Sequence, residues 1–216
     1  MKLIIRALLS TTLLVALTGC QTAYYSAMEQ VGVHKRDILV DRVVDARDSQ
    51  ADAQEQFQDA LEQFRSVVQF DGGQLDKVYN ALKAEYDDSV DAASDVRNRI
   101  EKVETVAADL FEEWNEELDK YSSRELRNQS ARKLRETRQR YAELLRSMKR
   151  AEKRMDPVLS SLQDNVLYLK HNLNARAIGA LKGEFSGMRQ EINLLMRDMQ
   201  LAIKESDAFI RSMESR

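Results

Sequence analysis

Proline occurs once in this chain of 216 residues and glycine seven times, so the residues that punctuate strands, hairpins and loops are nearly missing. A chain with so few breakers has few places to stop a helix. Histidine occurs twice and cysteine once, and these two scarcities exclude more chemistry. A carboxylate-bridged metal site in a helical bundle wants Glu-x-x-His on two helices, whereas His34 and His171 have Gln30, Val31, Leu167 and Tyr168 near those offsets. A Ser-His-Asp constellation would need one of the same two histidines, and no Gly-rich phosphate loop is present. The expectation is a protein that is not an enzyme and holds neither metal nor cofactor. A formal net charge of only -3 gives no global nucleic-acid signal.

What is present begins with a leader. Met1, Lys2 and Arg6 make a basic start, residues 7–17 are an apolar run, and Gly19 offers a small-residue exit; these are the parts of a cleaved export signal. An 11-residue run is too short to span a hydrocarbon core, which needs roughly 20 apolar residues. Leu17-Thr18-Gly19-Cys20 resembles a bacterial lipobox. The resemblance implies that Cys20, which has no cysteine partner for a disulfide, becomes the acylated first residue of a lipoprotein, carrying chains such as palmitate. Gln21 is not the Asp that favours inner-membrane retention in similar Gram-negative lipoproteins. The implied address is therefore the periplasmic face of the outer membrane, with several acyl chains holding far more firmly than one.

The rest of the chain is periodic. Removing the leader leaves a formal charge of about -5 (the -3 less Lys2 and Arg6) on a body rich in Ala, Leu, Glu, Gln, Lys and Arg, which lose little side-chain entropy in helices. Apolar residues recur in alternating steps of four and three. The first seam is Leu39, Val43, Ala46, Ala53, Phe57, Ala60, Phe64 and Val67, with Gln50 at the missing step. A second runs from Leu75 through Tyr86, Val96, Ile100 and Trp114 to Tyr121, a third from Leu134 through Tyr141, Met155 and Asn165 to Leu169, and a fourth from Ile178 through Phe185 and Met199 to Met213. Reversals are expected at Asp71-Gly72-Gly73, at Ser122-Ser123, where a serine caps the next helix, and at His171-Asn172-Leu173-Asn174, where Asn tolerates the left-handed conformation. Pro157 interrupts the third seam. It either starts a new helix or sits inside a bent one at about 3 kcal/mol, and the unbroken seam favours the bent helix.

These signals predict an all-α fold: a long antiparallel up-down-up-down four-helix bundle or coiled coil, tethered to a membrane by an N-terminal lipid. The expected organisation is a signal peptide over 1–19, a lipidated tether over 20–30 and an elongated bundle over 31–216, with helices about 31–70, 74–121, 123–172 and 174–214. Short connections between long helices force antiparallel neighbours. Residues 124–154 hold twelve Arg or Lys against four Glu, and residues 101–119 hold eight acids and one Lys. Folding back at Ser122 is expected to set these halves against each other; the other reading is a basic face for anionic lipid headgroups or peptidoglycan.

The lipobox, the nearly uninterrupted helices and the segment Leu169-Lys170-His171-Asn172-Leu173-Asn174-Ala175 resemble a family of uncharacterised proteobacterial lipoproteins described only as a domain of unknown function. That resemblance implies a helical fold and an envelope location and no activity. The expected role is structural or adaptor, a periplasmic rod presented to a protein or cell-wall partner. Rivals are a holdase-like or apolar-ligand-binding module that opens its methionine-bearing seam (Met148, Met155, Met188, Met199), and self-assembly through the seams. Candidate partner-binding residues are Gly72, Gly73, His171, Asn172 and Asn174 at the tip far from Cys20. Gly179, Gly183 and Gly187 recur every four residues, and such a row reads either as close packing inside the bundle or as a face where a partner helix docks.

Overall fold

A computed structural model describes residues 34–70, 72–172 and 174–214. The described residues contain four long helices and no strand: α1 (Lys35–Val68), α2 (Leu75–Glu117), α3 (Arg124–His171) and α4 (Ala175–Glu214), with a short 3-10 turn, Leu118–Lys120, after α2. At 48 residues, α3 is about 72 Å long at 1.5 Å per residue. It runs unbroken through Pro157.

Each helix packs on the next in sequence, and α1 packs on α4 as well, which closes the set of four into a bundle. Cross-helix partners give the directions. Gln56 Nε2 donates to the Glu85 carboxylate at 2.8 Å, while Arg99 reaches Asp45, so residue numbers rise along α1 as they fall along α2. Arg47 with Asp207, together with the Phe64 and Phe185 rings 6.0 Å apart, gives the same opposed sense for α1 and α4. Both hairpin turns, at Gly72-Gly73 and at Asn172 to Asn174, therefore lie at one end. The start of α1 and the turn before α3 lie at the other, where Lys35 pairs with Glu113 at 3.1 Å.

The core follows the seams. All eight apolar residues of the first are buried, and Gln50 is buried with them. The alternation of four and three keeps one stripe inward on each helix. Tyr121 departs from its seam: α2 ends at Glu117, the chain leaves helical geometry after Lys120, and Tyr121 is 42% exposed. The Ser123 hydroxyl accepts from the Leu126 amide at 3.3 Å and caps α3. Asn174 plays the same part for α4, its side-chain oxygen accepting from the Arg176 and Ala177 amides at 3.0 and 3.2 Å. The left-handed conformation expected for the asparagines is not used. Among the described residues only Gly72 and Gly73 have positive φ, 151° and 127°.

Near the end opposite the hairpins, Tyr141 meets Phe111 and Phe209 edge-on, at 5.4 and 6.4 Å between centroids. Trp114 closes the α2–α3 contact beside them, its indole N–H donating to Ser130 Oγ at 2.8 Å. Burial, helped by the Glu104 carboxylate, pushes the Tyr141 hydroxyl up from 10.0 to about 12. The folded state thus holds this proton more tightly than the unfolded chain, so the contribution is whole below pH 10 and is lost as pH rises through 12. Discounted because the ring is only partly buried, it is on the order of 1 kcal/mol. Denaturant unfolding at successive pH values is expected to show the parent losing that much more stability across this window than Tyr141→Phe.

The expected charge pairing of α2 with α3 is largely not made. Of the twelve cations in 124–154, Arg127 pairs with Asp119, Lys149 with Glu104 and Glu152, and Arg154 with Asp198. Arg138 instead donates to the Phe111 carbonyl and lies over the Phe111 ring. A seam fixes which side of a helix faces inward, but the cations of α3 are spread around its outer circumference and most never face α2.

Candidate functional site at the hairpin end

Four residues of α3, spaced so that they share one side of the helix, line a cleft against α4: Ser161, Asp164, Asn165 and Tyr168, facing Ala180, Leu181 and Glu184. The cleft holds about 400 Å³ and is open to solvent. Leu181 and Asn165 are its buried members.

Its charged groups are both carboxylates. Asp164 and Glu184 enter no ion pair or hydrogen bond among the described residues. Asn165 is only 5% exposed, and its Nδ2 donates to the Ser161 carbonyl at 2.6 Å. That bond turns the amide donor back into the helix and leaves Oδ1 for the cleft. Tyr168, 40% exposed, adds an aromatic face, with Leu167 exposed beside it. Two carboxylates, an amide oxygen and a ring in one open cleft suit a cation on a side chain, through charge, hydrogen bonding and the ring quadrupole.

The tip residues named from sequence build the turns above this cleft rather than the cleft itself. Asn172 Nδ2 donates to the Tyr168 carbonyl at 2.9 Å, Asn174 caps α4, and His171 is exposed in the last turn of α3. Gly72 and Gly73 form the neighbouring hairpin, where a Cβ added at Gly73 would only touch the Phe70 ring, at 3.7 Å. The cleft residues were missed because they carry no motif. Asn165 held the one usable signal, a polar residue at a core step of the third seam.

Gly179, Gly183 and Gly187 lie on the solvent side of α4, and a Cβ added at any of them meets nothing within 4 Å. Close packing within the bundle is therefore not their role. The inward side of α4 belongs to Ile178, Leu181, Met188 and Ile192, and the glycine row falls roughly opposite it.

A second cleft of about 310 Å³ lies at the other end, between the start of α1 and Met213 and Glu214, with charges of both signs from Arg36, Asp37 and Asp41. No group of three or more His, Cys, Asp or Glu among the described residues could hold a metal ion. No helix among them is long and apolar enough to cross a membrane. Leu17, Thr18, Gly19 and Cys20 lie outside the described residues. Residues 24–213 match a family model described as a protein of unknown function (DUF2959). No curated protein matches the chain.

Proposed function

The chain belongs to the DUF2959 family, and we propose that this member is a lipid-anchored structural or adaptor protein of the cell envelope. Cys20 tethers it to the periplasmic face of the outer membrane, and an up-down-up-down rod presents its hairpin end to a protein or cell-wall partner. The observation that carries this reading is the carboxylate-bearing cleft of Asp164, Asn165, Tyr168 and Glu184 at that end. Cys20 precedes α1, whose start lies at the opposite end, so a lipid there leaves the cleft at the far end of the rod. The exposed glycines of α4 lie on the same part of the rod and would let a partner helix approach its backbone.

Two results test the reading in cells. Cys20→Ser is expected to end incorporation of labelled palmitate and to move the protein out of the membrane fraction; a serine variant still acylated or still membrane-bound overturns the anchor. A photoreactive residue at Tyr168 or Gly73 is expected to capture a specific partner that one at Ser123 does not, and Asp164→Lys with Glu184→Lys to abolish that capture. Capture from Ser123 alone, or only of further copies of this chain, overturns the adaptor role.

A holdase-like module would have to open to expose its methionine-bearing seam. Met148, Met155, Met188 and Met199 are all at most 1% exposed.

A further inference from the structure

The outer face of α3 carries a straight row of cations. Taking about 100° per residue, Arg124, Arg132, Arg135, Arg146, Arg150 and Lys153 fall within an arc of about 80°, directly opposite the inward line of Leu134, Leu144, Met148 and Met155. All six are exposed, and none makes an ion pair or hydrogen bond among the described residues. The row extends about 44 Å at 1.5 Å per residue. Glu125, Glu136 and Glu143 lie along one edge only. The acids of α2 do not neutralise it: Glu104 is drawn to Lys149 and Glu113 to Lys35, while Glu101 and Glu112 fall on the outer line of α2 itself.

We infer that this row is a docking surface for anionic phospholipid headgroups. None of its residues lines the clefts described above, and a long straight row of charge suits a plane rather than a folded ligand. No aromatic side chain interleaves it, so it offers no platform for stacking nucleic-acid bases. It begins at the end of the bundle where the 33 residues preceding His34 enter, the end that the lipid-anchor reading brings to the membrane. The row stops at Lys153, and Asp164 of the cleft follows on the same line, so attraction acts on the tethered part of the rod and not on the hairpin end. Docking along the row lays the first part of α3 against the membrane, and the acidic cleft further along the same line is the stretch that an anionic surface repels.

The inference rests on the anchor reading only for proximity, and the lipid-free protein tests it separately. The chain from residue 20 with Cys20→Ser keeps every core residue. It is mixed with vesicles of phosphatidylcholine alone or of equal parts phosphatidylcholine and phosphatidylglycerol, and sedimented. Binding is expected to the mixed vesicles only and to fall as salt is raised. Each cation near an anionic leaflet is worth on the order of fivefold in affinity. Replacing Arg132, Arg135, Arg146 and Arg150 by Gln is then expected to cost on the order of several hundredfold. Replacing the scattered Lys77, Lys102, Lys182 and Lys204 by Gln is expected to cost far less, with circular dichroism showing that both variants keep their helix. Equal binding to the two vesicles, no binding to either, or equal losses in the two variants overturns the inference. Binding to soluble polyphosphate without binding to the mixed vesicles also overturns it and assigns the row to a polyanion in solution. Because no lipid is attached in this assay, failure of palmitate labelling at Cys20 in cells would leave its result intact.

Discussion

Phe64→Ala is expected to lower the unfolding free energy by about 3–5 kcal/mol, the usual cost of emptying a fully buried phenylalanine. The ring is 0% exposed, and it meets Phe185 at 6.0 Å and a tilt of 34° across the α1–α4 contact. Its neighbours are long helices held by many other contacts, so the bundle cannot easily collapse into the space. Urea unfolding followed by circular dichroism measures the loss, and in a bundle of this length the midpoint temperature is expected to fall by roughly 10 °C. A loss below about 1 kcal/mol would mean that the hairpin end repacks freely. The double variant with Phe185→Ala is expected to cost less than the sum of the two, because both rings stabilise one contact.

Gln50→Met is expected to act in the opposite direction. The Gln50 side chain is wholly buried in the middle of α1, and neither amide atom finds a protein partner. Burying an unpaired amide costs about 1–3 kcal/mol in protein measurements, and methionine follows the same unbranched path without the polar atoms. A gain of that size is the expected result of the same unfolding experiment. A loss would show that the amide is satisfied by trapped water, the common solution for buried polar groups. Glutamine at this step also has a use beyond stability: a single polar residue in a seam penalises slipped registers, which would move it to another level of the core.

The two substitutions mark where the sequence is legible. Phe64 could be placed in the core from spacing alone, because a stripe every three and four residues has only one way to bury itself in a bundle. The reversal at Gly72-Gly73 was legible for a similar reason, since positive φ there requires glycine. Asn174 shows a limit: the residue type marked the turn but not whether it closes one helix or caps the next, and only the following amides decide that. Tyr121 shows another, because a seam cannot say where hydrogen bonding stops. The glycine row and the cations of α3 were each left with two readings for one shared reason. Spacing tells which residues share a face, and whether that face meets a neighbour depends on how the helix is rotated in the bundle. Once Leu134 and Met148 fix the rotation of α3, the arginines must point to water. The cleft lies furthest from reach of sequence, since its lining joins residues such as Tyr168 and Ala180 from different helices.

Trp114 is the only tryptophan in the chain, and its indole N–H is held by Ser130 of the neighbouring helix. The protein therefore carries a native optical gauge of one contact, the seating of α2 against α3 near the end where the chain enters the bundle. Emission that stays constant when vesicles are added means that the closed rod docks as a unit. A shift to the red means that α3 has come away from α2, and it would be visible in the unlabelled protein before any other change in the bundle was sought.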